Sequence, residues 1–264
     1  MAEDLICGRQ AARALDRSLR EEGSNSPSIS RIYLADNFPS KLKGEFSALL
    51  GQATVQTVTS AQLSRMTPLR HQGIIVQLKG GTGANVRSER SLKEALEERP
   101  GLYVMLDRIQ DEQNLGSIIR SAEALGAAGM IITGKGARPG SIAARVSAGA
   151  SMLLPMFVQS GSQPVIKLAR GSGYWIIGTD SEQSVGPEPL DCNNLESLPD
   201  SDRFILIIGS EGDGMKRSLE TDCDFVVQIP LPGKTASLNA GVAAGILIQR
   251  LVDRMRSSGP RPGA

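Results

Sequence analysis

After residue 100 the chain alternates short apolar runs with amphipathic segments, and this alternation limits the fold more than any other feature of the sequence. Apolar runs occupy 102–106, 130–133, 174–178, 204–208 and 225–229. Helical patterns occupy 114–126, 141–150, 163–171 and 238–256. A strand written as a continuous apolar run is buried on both faces, and helices between such strands cover those faces. The expected fold class is therefore α/β with a mostly parallel sheet. Ligands of such sheets sit beyond the carboxyl ends of the strands. The polar, glycine-rich loops fall at those ends, at 107–116, 178–180, 209–215 and 230–239.

The first 80 residues read differently. Leu5, Ile6, Ala11, Ala12, Leu15 and Leu19 predict an amphipathic helix. Strands are expected at 31–35, 54–58 and 73–78 and a helix at 42–50, which makes a small α/β unit. Glycine and polar residues then crowd 79–85, as in a flexible linker, and a charged helix follows over 91–99. The organisation expected is an N-terminal domain over 1–80, a linker over 81–100, a second domain over 101–256 and a disordered tail over 257–264.

Composition excludes several chemistries. His71 is the single histidine, which removes a multi-histidine metal site, and no metal is expected. Cys7, Cys192 and Cys223 are odd in number and far apart, so neither a disulfide framework nor a zinc site fits. No apolar run reaches the roughly 18 residues that span a bilayer. The first residues lack the basic and long apolar regions of a signal peptide, and a soluble cytoplasmic protein without a membrane partner is expected. Aromatic residues are 3% of the chain, too few for base-stacking platforms on single strands. Residues 1–99 hold 14 basic and 11 acidic side chains, against 15 and 17 in the remainder, which makes the N-terminal part the more tolerant of phosphate.

Three loops carry candidate chemistry. In the first, Asn114 is placed to cap the helix that follows, and Arg120 lies off that helix's stripe of Ile118, Ile119, Ala122 and Leu125. A capped surface helix with an exposed arginine explains the same residues. The second loop, Gly209-Ser-Glu-Gly-Asp-Gly-Met, follows a strand and fixes Glu211 inside a tight turn. Its glycine spacing is the reverse of the dinucleotide fingerprint, so a nicotinamide site is not supported. A solvated carboxylate on a glycine-rich turn is the plainer explanation. The third loop contains Gly233-Lys234-Thr235, which imitates a phosphate-binding loop. Gln228 stands where that motif needs its first glycine, and Pro230 and Pro232 remove amide donors, so a nucleotide triphosphatase is rejected. What remains is Ser237 and Asn239 at a helix start, followed by the small residues Ala240, Gly241, Ala243, Ala244 and Gly245. Lys135, Arg138 and Arg145 bring cations near one strand end, where RNA phosphates or plain solvent could meet them.

Taken in order, these loops resemble the SpoU/TrmH family of RNA 2′-O-ribose methyltransferases, in the SPOUT superfamily. Asn114 through Arg120 to Gly126, Gly209 to Met215, and Ile229-Pro with Ser237-Leu-Asn match its three motifs, and 145–150 also fits. Ala240-Gly241 departs from the bulkier Val-Ser more common there. Ile6-Cys-Gly-Arg-Gln-Ala-Ala and His71-Gln-Gly-Ile are similar to the opening and closing phrases of a substrate-binding domain like ribosomal protein L30e. The resemblance covers nearly the whole chain, and is strongest to the branch that methylates a guanosine ribose in 23S rRNA.

The resemblance implies S-adenosyl-L-methionine as cofactor, a C-terminal trefoil knot, a homodimer and an RNA substrate, rRNA ahead of tRNA, with no DNA partner. It assigns catalysis to Asn114, Arg120, Glu211, Ser237 and Asn239, and the cofactor to Gly209, Ile229 and Leu238, with Thr179 beside them. Other readings are a tRNA ribose methyltransferase, a catalytically silent RNA-binding or ribosome-assembly factor, and a small-molecule methyltransferase. His71 competes with Arg120 as the source of base catalysis, since histidine is the commonest base.

Overall fold

The computed structural model describes residues 5–20, 28–68, 70–79, 86–87, 89–179, 187–210, 214–235 and 237–258. It divides into two compact units, one of residues 1–85 with 139–153, the other of 86–138 with 154–264. The expected second domain ran unbroken from 101 to 256; the segment 139–153 groups instead with the first unit.

The first unit has a four-stranded sheet in the order β1-β4-β2-β3, from β1 (Leu5–Cys7), β2 (Ile29–Ala35), β3 (Val55–Val58) and β4 (Ile74–Leu78). The helix expected from Leu5 begins only at Arg9, as α1 (Arg9–Arg20). Gly8 takes φ +95° and separates the two elements, and Leu5 and Ile6 pair antiparallel with β4. An apolar pair at a chain's start fits either period; a partner strand decides it. The helix expected at 42–50 is broken into α2 (Ser40–Lys43), a 3-10 turn (Gly44–Phe46) and α3 (Ser47–Leu50). One helix was missed, α4 (Ser60–Met66), whose start is a capping box between Thr59 and Gln62. Buried Asp16 on α1 is satisfied by the Leu49 amide at 2.8 Å and Arg20 Nε at 2.6 Å.

The segment 139–153 contributes α7 (Ser141–Val146) and α8 (Ala150–Leu153). Ala148 and Gly149 break the single helix expected there, with φ +52° and +94°. A Cβ on Gly149 would lie 2.8 Å from the Ala11 Cα on α1. Glycine is needed here both for its backbone and for close packing.

The second unit is an eight-stranded sheet in which every described pairing is parallel. Its order is β10-β12-β9-β11-β6-β7-β8-β5. The strands are β5 (Val86–Arg87), β6 (Gly101–Asp107), β7 (Gly129–Thr133), β8 (Met156–Gln159), β9 (Trp175–Thr179), β10 (Leu190–Asp191), β11 (Arg203–Ile208) and β12 (Phe225–Gln228). The helices are α5 (Glu89–Glu98), α6 (Glu112–Leu125), α9 (Ser162–Gly171), α10 (Arg217–Glu220) and α11 (Ala240–Ser258). Central strands β6, β7 and β11 are buried almost end to end, as their unbroken apolar runs require. β8 was missed, its four residues following Pro155 too briefly to stand out. α11 extends to Ser258, so 257 and 258 belong to a helix and not to a tail; residues 259–264 lie outside the described ones. No described helix is long and apolar enough to cross a membrane.

Candidate functional site

Parallel pairing gathers the carboxyl ends of the strands at one edge. Gly178 on β9 is level with Ile207 on β11, and Thr179 with Val227 on β12. Thr179, Gly209 and Ile229 therefore leave three adjacent strands within two residues of a common level. On the far side of β11, Ile208 is level with Leu106, so the loop into α6 starts at the same edge.

Two helices meet over this edge. Asp111 caps α6, accepting from the Gln113 amide at 2.8 Å, so Asn114 is not the cap but a buried residue of the first turn. Asp111 is three residues earlier and extended, and its carboxylate suits the positive end of the helix. Asn114 is released for another bond, and its Oδ1 accepts from Asn239 Nδ2 at 2.8 Å. The Asn239 Oδ1 in turn accepts from the Gly241 amide at 2.9 Å, so Asn239 caps α11. One side chain thus starts one helix and ties it to the first turn of another.

The helices then run in close contact. A Cβ on Gly241 would lie 2.6 Å from Ser117 Oγ, and one on Gly245 3.5 Å from Ser121 Oγ. Asn114, Ser117 and Ser121 share one face of α6 by their spacing of three and four. The small residues of α11 therefore serve helix packing within the chain, and Ser117 occupies the room that a larger residue at 241 would need. Arg120 lies one position off this face and is exposed.

The loop after β11 closes on itself. The Ser210 and Gly214 main chains exchange hydrogen bonds at 3.1 and 3.0 Å, and Gly214 has φ +63°. A Cβ on Gly209 would run into the Gly214 carbonyl carbon and the Met215 nitrogen. Met215 is buried beneath, where a Cβ on Gly178 would come within 2.6 Å of its methyl group. Glycine at 178 and 209 is thus required by close packing: the Met215 and Cys223 side chains fill the room beyond Gly178, and the Gly214–Met215 main chain that beyond Gly209. Glu211 lies outside the described residues. Ser237 and Leu238 are exposed just before the Asn239 cap, and Leu238 keeps 39% of its surface.

One cluster at this edge was not expected from the sequence. Asp107, the last residue of β6, is buried, with Oδ1 accepting from Ser162 Oγ at 2.9 Å and Oδ2 from Arg108 Nε at 3.0 Å. The Thr133 hydroxyl is 2.9 Å from that of Ser162. A charged residue closing an apolar strand was the available signal, because a carboxylate buried there needs partners.

The competing base takes part in a local turn. His71 lies in the first unit, where its Nδ1 accepts from the Gly73 amide at 3.0 Å and its Nε2 is 3.2 Å from Ser64 Oγ. Both ring nitrogens are engaged in holding a turn. The thiols are disfavoured as thiolates: burial, then Asp224, Asp222 and Glu220, push Cys223 up to about 12, and burial raises Cys7 and Cys192. Among the described residues no cluster could hold a metal ion.

Comparisons with known proteins bear on the family and the fold. The SpoU rRNA Methylase family matches residues 101–249. A Bacillus subtilis protein named as a TrmH family tRNA/rRNA methyltransferase is 31% identical over 251 residues, 93% of either chain. The crystal structure of an AdoMet-bound rRNA methyltransferase from Sinorhizobium meliloti superposes with a TM-score of 0.71 at 22% identity, covering 96% of this chain and 87% of that one. That of an RNA 2′-O ribose methyltransferase gives a TM-score of 0.71 at 21% identity, covering 96% and 88%. At these identities the structures share the fold.

Proposed function

The chain belongs to the SpoU rRNA methylase family, and on that premise we propose that it transfers a methyl group from S-adenosyl-L-methionine to a ribose 2′-hydroxyl of RNA, that of a guanosine in 23S rRNA. The observation that carries this reading is the Asn114–Asn239 bond, which joins the first and third motifs over the strand ends. Residues 125 apart in sequence are held within one hydrogen bond of each other at the edge where such sheets bind ligands.

The residues present fit the cofactor. Thr179, Gly209, Ile229 and Leu238 leave the strand ends or precede α11, at the edge where parallel sheets bind ligands, and their main-chain groups line the cofactor there. S-adenosylmethionine supplies a methyl group already activated on a sulfonium. The chain's own task is to align the 2′-oxygen and stabilise it as its proton leaves. Arg120 is exposed, and a guanidinium is a cation with donors and no acceptor, so it acts as a cation and not as a base. It binds a substrate phosphate and stabilises the developing alkoxide. The 2′-hydroxyl proton passes to a phosphate oxygen or to water. Glu211 orients Arg120 or its own loop, Ser237 binds ribose or cofactor, and Asn114 with Asn239 fixes the two helix starts.

The same reading includes an L30e-like RNA-binding domain over 1–80 and a trefoil knot. The chain after β12 returns past β9 and β11 to lay α11 on α6, and this supports the knot. A homodimer is supported by Leu231, Leu238 and Val242, apolar and exposed around the start of α11.

Methyl transfer from labelled cofactor to a 23S rRNA transcript and to bulk tRNA tests the reading, together with 2′-O-methyl mapping in cells with and without the gene. A site lost only in tRNA would redirect the substrate. No lost site and no transfer would leave a silent RNA-binding factor.

A further inference from the structure

The loop from β6 into α6 holds a residue that the reaction above does not use. Arg108 has φ +60°, a left-handed backbone that residues with a Cβ disfavour. Such conformations persist where the surroundings over-determine them, and they cluster at ligand clamps. The surroundings here are specific. The Ala137 amide donates to the Ile109 carbonyl at 2.7 Å, and a Cβ on Gly136 would lie 3.3 Å from the Arg108 Cα. Gly134, with φ +72°, packs where a Cβ would be 3.3 Å from Arg108 Cγ. The loops 107–111 and 133–138 are thus stitched into one piece around this arginine.

The side chain is anchored by one edge. Its Nε donates to Asp107 Oδ2 at 3.0 Å, and the carboxylate is held from its other side by Ser162. The carboxylate is 2% exposed but the arginine side chain 24%. A counter-ion for Asp107 alone would have no need to reach solvent. A guanidinium has five N–H donors, and this bond uses the one on Nε. Anchoring removes the entropy that a long cation otherwise loses on binding, and the planar fork matches phosphate oxygens. Lys135 and Arg138 on the stitched loop are exposed, and Arg138 donates to the Gly134 carbonyl at 3.0 Å. Asp111, the nearest carboxylate along the loop, is occupied as the α6 cap.

We propose that Arg108, flanked by Lys135 and Arg138, binds a backbone phosphate of the RNA at the entrance to α6, so that Asp107 is a positioning residue for substrate and not for cofactor. This rests on the reading of the chain as an RNA-modifying enzyme. The test measures binding of the full chain to a 23S rRNA transcript and to bulk tRNA across a salt series, with cofactor affinity and melting temperature alongside. Arg108→Gln is expected to weaken RNA binding about fivefold to tenfold and to lower the salt slope by about one. Cofactor affinity stays within about twofold, and Arg108→Lys recovers part of the loss because charge survives but the fork does not. The double variant Lys135→Ala with Arg138→Ala, at exposed positions, lowers the slope by about two. Unchanged RNA affinity and slope in a folded Arg108→Gln chain overturns the proposal, as does an equal loss of cofactor and RNA affinity. If Arg108→Gln does not fold, an unchanged slope in the double variant overturns it instead. Wild-type chain that binds RNA but transfers no methyl removes the proposed reaction and leaves Arg108 to be judged by affinity. Wild-type chain that binds neither RNA removes both.

Discussion

The two sheets differ in where their connections leave and in what those connections bring together. In the four-stranded sheet, antiparallel and parallel pairings are mixed, so loops leave at both edges. Some of its polar side chains close local turns, as His71 holds Gly73 and Gln62 and Thr59 cap each other, and Asp16 ties α1 to the Leu49 amide of α3. In the eight-stranded sheet all described pairings are parallel, and the loops after β6, β9, β11 and β12 leave one edge. There the polar groups join distant segments: Asn114 with Asn239, and Asp107 with Ser162. Direction of pairing decides this. A parallel sheet must return every connection to the same side, so residues far apart in sequence meet at the carboxyl ends.

The contrast makes predictions of decreasing size. Arg120→Ala should lower turnover by about 10²–10³-fold, the usual effect of losing a group that stabilises developing charge, with cofactor affinity nearly intact. Near-normal turnover would take catalysis away from this edge. Gly209→Ala must displace the Ser210–Gly214 turn, and such overpacking costs roughly 1–3 kcal/mol. Cofactor affinity measured by calorimetry should fall on the order of tenfold, since the strain sits on its backbone. Loss of stability with unchanged affinity would show that this loop only folds the sheet.

Asn239→Ala removes a cap and an interhelical bond, about 1–2 kcal/mol in all. A fall of roughly 2–8 °C in melting temperature is expected for a chain of this size. Asn114→Ala in the same background should add little, because both act through one bond; full additivity would break the pairing. The smallest effect belongs to the first unit. His71→Ala should cost about 1 kcal/mol of stability and leave turnover within about twofold, with no change in the pH-rate profile. A large loss of turnover in the folded variant would restore histidine as a base.

Much of the fold was legible because burial on both faces writes a strand as an unbroken apolar run. The strands at 102–106, 130–133, 174–178, 204–208 and 225–229 each fall within a residue or two of the observed element. β8 escaped because four residues after a proline carry too little pattern, and the Leu5–Ile6 strand because its period is set by β4. Asn114 was read as a cap because its neighbour across the structure could not be seen. Asp107 was passed over since nothing near it in sequence shows that Ser162 will partner it.

The sequence alone determined the alternation of strands and helices, the position of the polar loops and the order of three motifs, because these follow from local periodicity and backbone freedom. Only the tertiary structure decided that Asn114 meets Asn239, that Gly241 packs on Ser117, and that a left-handed Arg108 rests on Asp107. The Asn114–Asn239 bond and the Gly241–Ser117 contact need partners from another segment, and Arg108 is held on Asp107 by Ser162 and by the 134–137 loop. Long-range hydrogen bonds and close packing are fixed only when strand order and register bring the segments together.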